Sequence, residues 1–422
     1  MNLKRLQNTL NSLNKFTDEG LGINRLAYTD TEQRASNYLI ELFKQAGLTV
    51  RVDAVGNVIA RREGAYSHLP VVAFGSHIDS VYEAGEYDGT VGVVAALEVI
   101  RSLNDKRIKT EHPLEVIVFA CEESARFGIS TLGSKAMTGL LEEKDIAELK
   151  DKNDITLSDE FSKYSLNIGK LKEAERQKEE IEVFLELHIE QGPILENSGK
   201  QIGIVTGIAG PTRFKLQING QSSHSGTTPM GYRKDAFLGA AEIALSIESA
   251  AISEASEGTV ATVGVCDVKP GAMNIVPGLV EIDVDIRGNS AASKEVVIKQ
   301  LLKAIDKVEN SRKLRINYTK IGDEQPTEMD PVITRSIEET CKESGYSYQL
   351  MPSGAGHDAM NMAKLFPASL LFIPSNDGLS HNPEEYTSWE QIAVGARLLE
   401  KEILKWAKVY KSSIRGELHE SQ

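Results

Sequence analysis

The sequence feature that most constrains the fold is an apolar run that ends in two acids. Residues 114–120 are nearly continuous in apolar side chains, as expected of a strand buried on both faces of a mostly parallel sheet. Glu122 and Glu123 follow this run, at the strand end where open α/β sheets place their sites. Neighbouring side chains on an extended chain point in opposite directions. One acid can therefore bind a metal while the other faces a substrate as a base, and a solvated pair of loop acids is the alternative.

Strand-like and helix-like segments alternate on both sides of this run. Two helices are predicted within residues 1–47, and an apolar helix is predicted at 91–103. The alternation predicts an α/β fold, with a three-layer αβα domain around a mixed, mostly parallel sheet. Residues 139–180 differ, because Lys, Glu and Asp dominate there. They predict a flexible exposed segment or a solvated pair of helices.

Residues 213–321 follow a different order of elements. Strand, helix, strand, strand, helix and strand succeed one another there, which is the order of a ferredoxin-like α+β unit. A unit of about 110 residues is long enough to fold as an inserted domain. We therefore predict a first domain in two parts, residues 1–211 and 326–422, with the inserted domain at 212–325. The last residues, 412–422, are predicted to be a frayed tail.

Length and charge exclude several classes of protein. The 422 residues are enough for two or three domains. Asp and Glu number 61 against 47 Lys and Arg, for a net charge of −14. This acidity argues against a nucleic-acid partner and against an anionic membrane surface.

The cysteines and the apolar stretches indicate a compartment. Cys121, Cys266 and Cys341 are far apart and form no CxxC pair, so the sequence indicates neither a disulfide framework nor a thiolate zinc site. Sparse unpaired cysteines are typical of the reducing cytoplasm. The N-terminal segment has the spacing of an amphipathic helix and no signal-peptide cleavage site. The longest apolar stretches, 114–121 and 370–374, are shorter than the about 20 residues of a membrane span. We expect a cytoplasmic protein.

Five of the eight histidines lie in glycine-rich turns or at the ends of predicted strands. One histidine in such a place is more often structural than a ligand, but five together favour a metal site. Asp79 follows His77 at a spacing that allows its carboxylate to hold the tautomer of a metal-bound imidazole, although a solvated turn acid has the same pattern. The five are His77, His188, His224, His357 and His381, whereas His68, His112 and His419 are predicted to lie at the surface. For His357 the sequence leaves open a ligand neighbour, a substrate contact and a structural role.

Asp88 lies at the start of a predicted helix, in the sequence GEYDGTVG. It can cap that helix, or its two oxygens can bridge two cations. Imidazole and carboxylate ligands without thiolate suit zinc, manganese or cobalt. Five candidate ligands exceed the three that a catalytic zinc takes from a protein. A site with two metals that share one carboxylate is therefore the simpler explanation of the number of ligands. The candidate ligands are His77, Asp88, Glu123, His188 and His381.

Seven motifs carry a resemblance to a known family. In chain order they are GSHIDSV, GEYDGTVGV, ACEESARFG, ELHIEQGP, HSGTTPM, GHDAM and SHNPEE. They resemble the motifs of the di-metal amidohydrolases related to aminoacylases and carboxypeptidases. The likeness is closest to the branch of N-carbamoyl-L-amino acid hydrolases, allantoate amidohydrolases and β-ureidopropionases. It runs over almost the whole chain, and HIEQGP together with HSGTTPM is specific to that branch.

The resemblance implies a role for each residue of the metal site. His77, Asp88 and His188 would bind one divalent cation, and Asp88, Glu123 and His381 would bind the second. Glu122 matches the general base, and Asp79 matches the carboxylate that supports His77. Zinc, manganese, cobalt and nickel are all compatible with such ligands.

The resemblance also implies that the inserted domain is a lid and dimerisation domain. His224 would reach the active site of the partner subunit and stabilise the oxyanion, and Gln191 would lie near the substrate. Asn274 and Arg287 would clamp the substrate carboxylate, which arginine binds with two parallel hydrogen bonds. The residues alone leave simpler alternatives open. His224 could be a loop histidine, Asn274 a turn residue and Arg287 a surface arginine.

The activity implied by the resemblance is hydrolysis of the ureido C–N bond of N-carbamoyl-L-amino acids to amino acid, CO2 and ammonia, by a homodimer. Allantoate and a β-ureido acid are alternative substrates, and a dipeptidase or deacylase is a weaker option. The stretch GPTRF at 210–214 differs from the GQRR-like stretch that we associate with allantoate enzymes, which favours the carbamoyl substrate. In a different class, the chain would be a metal-stabilised binding protein without turnover. The complete ligand set and the base argue against that class.

Overall fold

The computed structural model describes residues 1–411, so the predicted frayed tail and His419 lie outside the described residues. These residues form two compact units. The first contains Met1–Thr206, Met329–Met351 and the residues from His357 onward. The second contains Gly207–Glu328 and Pro352–Gly356. The chain therefore passes between the units within a few residues of 211 and 325, and the second unit also takes a short segment near 354.

Within residues 1–411 there are twelve α-helices and fifteen strands. The helices are α1 (Leu3–Leu13), α2 (Asp30–Gln45), α3 (Thr90–Asp105), α4 (Leu132–Met137), α5 (Glu143–Ile146), α6 (Leu157–Lys163), α7 (Ile194–Ser198), α8 (Ala236–Ser253), α9 (Ala291–Arg312), α10 (Pro331–Ser344), α11 (Asp358–Met362) and α12 (Trp389–Ala407). The strands are β1 (Thr49–Val52), β2 (Val58–Arg62), β3 (Val71–His77), β4 (Leu114–Phe119), β5 (Ile181–Ile189), β6 (Ile202–Ile208), β7 (Gly210–Asn219), β8 (Ser223–His224), β9 (Val260–Lys269), β10 (Ile275–Val276), β11 (Leu279–Gly288), β12 (Arg315–Asp323), β13 (Thr327–Glu328), β14 (Tyr348–Ser353) and β15 (Ala368–Ile373).

The first unit is built around a mixed sheet in the order β1-β2-β4-β3-β5-β15-β6, with β14 also paired to β6. The four central strands β4, β3, β5 and β15 are parallel to one another. Antiparallel pairs flank them, β1 with β2, β2 with β4, and β15 with β6. The predicted mixed, mostly parallel sheet is confirmed.

Helices cover both faces of this sheet, so its central strands have no polar face. Every residue of β3, β4 and β15 is buried. Along β5, Leu185 and Leu187 join the apolar core that includes α3 and α12. Glu186, between them, accepts a hydrogen bond from the Ala359 N–H of α11 (2.9 Å). Because successive side chains of a strand point to opposite faces, α11 covers the face opposite to α3 and α12.

The charged segment at 139–180 is mostly exposed and holds two short α-helices, α5 and α6, which agrees with the second of the two predicted forms, a solvated pair of helices. The short helices α4, α5 and α6 direct their few large apolar side chains, Phe161 among them, into one buried cluster. The buried guanidinium of Arg126 also ties the segment to the N-terminal region. It donates to the carbonyls of Ala27 (2.9 Å) and Tyr28 and pairs with Asp151 (3.3 Å).

The second unit has the order β7-α8-β9-β11-α9-β12, and its antiparallel sheet runs β12-β7-β11-β9. This is the ferredoxin-like order that the sequence predicts. Burial alternates strictly along β11, because α8 and α9 cover one face of the sheet.

Helix α8 is the one helix in residues 1–411 that is long and apolar enough, by length and composition, to cross a membrane. The apolar stretches 114–121 and 370–374 lie elsewhere in the chain. Ile243 and Ile247 of α8 belong to the core of the second unit, and Glu242 and Glu248 interrupt its apolar sequence. Its position is therefore that of a helix packed on a sheet.

Candidate metal centre

The candidate ligands lie where the parallel strands end. His77 is the last residue of β3, and His188 is the next-to-last residue of β5. Glu122 and Glu123 follow β4, and His381 lies in the loop after β15. Because these four strands are parallel, their carboxyl ends meet at one edge of the sheet.

The structure brings these residues together as two ligand groups that share Asp88. One group is His77, Asp88 and His188, the other is Asp88, Glu123 and His381, and within each group the ligand atoms lie within 4.8 Å of one another. Asp88 Oδ1 lies 3.4 Å from His77 Nε2 and 3.1 Å from His188 Nε2. Asp88 Oδ2 lies 3.4 Å from His381 Nε2, and Glu123 Oε1 lies 3.0 Å from the same nitrogen. Each oxygen of Asp88 therefore faces a different group, and the imidazole and carboxylate donors fit two divalent cations.

Main-chain carbonyls fix the tautomer of two of the histidines. His77 Nδ1 lies 2.9 Å from the carbonyl oxygen of Asp79, and His188 Nδ1 lies 2.8 Å from that of Ile189. A proton on each Nδ1 donates to these carbonyls, which leaves the lone pair of each Nε2 on the side of Asp88. In the structure His188 Nε2 accepts the backbone N–H of Gly89 (3.0 Å), a contact that a bound cation would replace.

The carboxylate of Asp79 has a different role from the one we expected. Its Oδ1 is 3.7 Å from His77 Nδ1, too far for a hydrogen bond. Its two oxygens instead accept the backbone N–H groups of Glu122 (3.1 Å) and Glu123 (2.9 Å). Asp79 thus supports His77 through its main chain and uses its carboxylate to hold the loop that carries the two acids.

Glu122 is buried beside the first ligand group, with Oε2 3.8 Å from His77 Nε2. Burial raises the pKa of Glu122 well above its ordinary value. The charge of His77 opposes the shift, and the charges of Glu123 and Asp358 add to it. A carboxyl group with a raised pKa in a buried site is suited to take up a proton and pass it on.

The acids and the histidines of the two ligand groups stabilise each other's charged forms. Burial disfavours the ionised form of Asp88, but His188, His381 and His77 hold its pKa well below the ordinary value. Burial likewise opposes the charge on His77, but the acids around it, Glu122 first, hold its pKa well above the usual range. Hydrogen bonds to Asp88 and Glu123 raise the pKa of His381 to about 11.

The loops that carry these residues have an unusual backbone. Cys121, Gln191 and His381 all have positive φ, at 51°, 60° and 54°. Such values are uncommon outside glycine and cluster at functional sites. Gly89 also has a positive φ of 62°, and a Cβ there would lie 2.4 Å from His77 Nε2. A side chain at residue 89 would therefore occupy the place of a ligand atom.

Two residues that hold Asp88 were missed by the sequence reasoning. Ser380 Oγ lies 2.9 Å from Asp88 Oδ2, and the predicted substrate residue Gln191 donates to the same oxygen (2.6 Å). Glu385 accepts the backbone N–H groups of Tyr87 (2.9 Å) and Asp88 (3.1 Å). Ser380 and Glu385 both belong to the loop that carries His381. The sequence signal that could have identified Ser380 and Glu385 is their position as polar residues on either side of His381 in a turn-rich loop.

Arg25 was also missed. Its buried side chain donates from Nε to the Ile78 carbonyl (2.6 Å), and its backbone N–H donates to Ser80 Oγ (2.9 Å). It also donates to the Phe16 carbonyl after α1 (2.9 Å). Through these hydrogen bonds Arg25 stabilises the loop that follows His77. A single arginine outside any periodic segment gives no sequence signal for such a contact.

His357 is buried against the first ligand group. Its ring centroid lies 4.5 Å from that of His188, and its Nε2 is buried without a hydrogen-bond partner in the described residues. Burial, together with the nearby charge of His188, holds the pKa of His357 well below its ordinary value.

The other three predicted residues belong to the second unit, whereas all the candidate ligands belong to the first. His224 Nδ1 accepts the backbone N–H groups of Gly226 (3.0 Å) and Thr227 (3.2 Å), so the proton of a neutral His224 is on Nε2. Asn274 directly precedes β10, which pairs with β8 in the register Ile275 to His224.

Arg287 has an acidic partner in its own strand. Its Nε and one terminal nitrogen donate to Asp285 Oδ2, both at 3.1 Å, and the other terminal nitrogen donates to the Gly354 carbonyl (3.2 Å). Three of the five N–H donors of Arg287 are used in this way, which leaves one on each terminal nitrogen.

The fold and the two ligand groups define a metal-dependent hydrolase, and comparisons with known proteins agree. Residues 73–405 match the model of Peptidase family M20/M25/M40, so the chain belongs to this family, whose amidohydrolases are metal-dependent. A protein of Haemophilus influenzae described as an uncharacterized hydrolase is 46% identical, over 97% of this chain and 99% of its own. The N-carbamoyl-L-amino acid amidohydrolase of Geobacillus stearothermophilus is 38% identical, over 90% of this chain and 92% of its own.

A solved structure of similar fold is the hydantoinase/carbamoylase family amidase of Burkholderia multivorans, with a TM-score of 0.89 and 35% identity over 96% of this chain and 98% of that one. Further relatives named allantoate amidohydrolase and ureidoglycolate hydrolase are 33% to 38% identical. The resemblance seen in the motifs is confirmed. The chain is a hydrolase of C–N bonds other than peptide bonds.

Metal binding is expected to release protons. The pKa values of His77, His188 and His381 are raised, so at pH 7 the metal-free protein carries protons that a cation must displace. Calorimetric titration with Zn²⁺ should show release of about one to three protons per subunit. The apparent affinity should rise as pH rises toward the raised pKa values.

The measurement is the dependence of the binding heat on the ionisation heat of the buffer at constant pH. His381→Asn should lower the proton count, and His68→Asn, at an exposed position, should leave it unchanged. Identical heats in all buffers would contradict the charge state assigned to the site.

Proposed function

We propose that this protein hydrolyses the ureido C–N bond of an N-carbamoyl-L-amino acid, giving the amino acid, ammonia and CO2. The observation that carries the proposal is the buried Glu122 next to two ligand groups that share Asp88. The relatives named for this activity, together with the sequence GPTRF at 210–214, support the choice of substrate.

Five residues would hold the metals, namely His77, Asp88, Glu123, His188 and His381. Two divalent cations, when bound, would polarise the ureido carbonyl and would lower the pKa of a water to about 7. The carboxylate of Glu122 takes a proton from the attacking water and delivers it to the leaving amine of the amino acid. The carbamate that is released decomposes to ammonia and CO2.

Residues of the second unit would bind the two ends of the substrate. The two free N–H donors of Arg287 suit the α-carboxylate, with Asn274 as a further donor. Asp285 holds the guanidinium in one orientation. His224 would reach the active site of the partner subunit in a dimer, where its Nε2 proton is suited to stabilise the oxyanion that develops on the carbonyl.

Gln191 offers a hydrogen-bond acceptor to the substrate, whereas Arg287, Asn274 and His224 offer donors. Its amide nitrogen is engaged by Asp88 and Ser380, and its Oε1 is buried without a partner among the described residues. A buried acceptor without a donor is costly. The N–H groups of a ureido substrate would supply that donor.

Allantoate and ureidoglycolate form a second candidate substrate class. The ureidoglycolate hydrolase of Arabidopsis thaliana is as similar in sequence, at 38% identity, as the carbamoyl relative from Geobacillus. All these compounds join a ureido group to a carboxylate, so the same base, metals and carboxylate clamp serve each of them. A β-ureido acid is a weaker candidate.

A substrate panel tests the proposal. Metal-reconstituted protein should release ammonia fastest from N-carbamoyl-L-amino acids, compared with allantoate, ureidoglycolate and β-ureidopropionate. The corresponding N-carbamoyl-L-amino acid amides, which lack the carboxylate, should have about 10-fold to 100-fold lower kcat/KM, because they cannot pair with Arg287. A higher kcat/KM for allantoate or ureidoglycolate would replace the proposed substrate, and equal values for acids and amides would exclude the clamp.

Glu122→Gln should separate binding from chemistry. The amide cannot accept the proton, so kcat should fall by about 10²-fold to 10⁴-fold while zinc stoichiometry and substrate binding persist. Steady-state kinetics and metal analysis provide the two measurements. Glu179→Gln, at an exposed glutamate, is the matched control. A near-normal kcat in Glu122→Gln would remove it as the base.

We further propose that the protein works in the cytoplasm on a small ureido acid, without a nucleic-acid or membrane partner. Its cysteines support a reducing compartment, since none forms a disulfide within residues 1–411. The net charge of −14 supports the absence of polyanionic partners.

A homodimer through the second unit is also proposed. Leu245 and Ile252 of α8 are 65% and 69% exposed. Beside that helix, β9 is an edge strand on which Val260 and Val265 are about half exposed. An apolar helix face next to an unpaired strand edge is suited to join a second copy.

Leu245→Glu should weaken this dimer, because it places a charge in the apolar contact. Sedimentation velocity should give twice the chain mass for the wild type and a shift toward the monomer for the variant. Leu140→Glu, at an exposed leucine of the first unit, should remain dimeric. A wild type that is monomeric at micromolar concentration would contradict the proposal.

A further inference from the structure

Glu385 joins two loops that are nearly 300 residues apart in the chain. Only 4% of its surface is exposed. Its Oε1 accepts the backbone N–H groups of Tyr87 (2.9 Å) and Asp88 (3.1 Å). Its Oε2 lies 2.8 Å from the hydroxyl of Ser380, the residue before His381. One carboxyl group therefore contacts both the loop of the shared ligand and the loop of a ligand to the second cation.

The packing around Glu385 leaves little freedom for either loop. A Cβ on Gly85 would lie 2.2 Å from Glu385 Cβ, so the chain before Asp88 lies directly against this side chain. Ser380 Oγ is also 2.9 Å from Asp88 Oδ2, the oxygen that faces the second ligand group. Glu385, Ser380 and Asp88 thus form a continuous chain of contacts that ends at a ligand atom.

The two histidines of the first group have other supports. His77 and His188 belong to central strands, and their Nδ1 atoms are held by main-chain carbonyls. His381 instead lies in a loop, and 46% of its side chain is exposed. The position of His381 relative to Asp88 therefore depends on what holds the two loops together.

We propose that Glu385 is a positioning residue for the second cation, which it serves by fixing Asp88 Oδ2 and the His381 loop in one arrangement. The inference rests on the two-metal centre of the proposed function and is independent of which ureido acid is hydrolysed. Residues that orient metal ligands typically contribute about 10-fold to 100-fold in metal affinity.

Glu385→Ala and Glu385→Gln make the test specific. The alanine variant leaves the N–H groups of Tyr87 and Asp88 without their acceptor and removes the contact of Ser380 Oγ with Glu385 Oε2. In the glutamine variant the amide oxygen still accepts both N–H groups and the amide nitrogen donates to Ser380 Oγ. Glu384→Ala is the matched control, because the adjacent Glu384 is exposed.

The measurement is calorimetric titration of metal-stripped protein with Zn²⁺, which resolves the two dissociation constants. The constant of the Asp88, Glu123 and His381 group is identified as the one that His381→Asn weakens. In Glu385→Ala this constant should increase about 10-fold to 100-fold, and the other constant should change less than about 3-fold. Glu385→Gln and Glu384→Ala should stay close to the wild type. Unchanged constants in Glu385→Ala, or equal weakening of both sites, would overturn the proposal.

Ser380→Ala covers the case in which Glu385→Ala does not fold. This variant removes the hydroxyl between Glu385 and Asp88 and keeps the backbone contacts of Glu385, so it should weaken the second Zn²⁺ alone. No weakening in Ser380→Ala would overturn the proposal. Because no substrate is present in the titration, failure of the proposed substrate would leave this result intact, and failure here would leave the substrate panel intact.

Discussion

The carboxylate of Asp88 is the interaction on which the rest of the site depends. Its two oxygens face two different sets of ligands, at 3.1 Å to His188 and 3.4 Å to His381. A buried carboxylate in this position is stable only if positive charge lies on both sides. Imidazoles supply that charge in the metal-free protein, and bound divalent cations would replace it. The same geometry therefore explains the depressed pKa of Asp88 and the raised pKa values of the histidines.

The fold supplies most of the precision that this arrangement requires. Parallel strands place His77, His188 and the acids after β4 at one edge of the sheet, where hydrogen bonds that cross between strands fix the loops. Asp79 is the clearest example, because its main chain orients His77 and its carboxylate holds Glu122 and Glu123. One residue thereby positions both the candidate ligand of one strand and the proposed base that follows the next strand.

Local patterns were sufficient to predict the ends of the buried strands, the βαββαβ order of the second unit and the residues of both ligand groups. They were insufficient where the determining contact joins distant parts of the chain. Glu385 accepts from Asp88 across nearly 300 residues, and Arg25 donates to Ile78 from a loop without periodicity. Strand β14 and the short helix α11 were also missed, because a six-residue polar strand and a five-residue helix carry too little pattern.

The segment between β4 and β5 shows what composition alone leaves out. Lys, Glu and Asp outnumber the large apolar residues there, which is typical of solvated chain. The structure needs only a few apolar side chains on one side of the segment, such as Phe161, together with Arg126 in ion pairs on the inner side. A buried arginine is favourable when carboxylates and carbonyls surround it. The ion pairs of Arg126 therefore join the chain after Glu123 to Asp151 and Glu160, while most of residues 139–180 stay exposed to solvent.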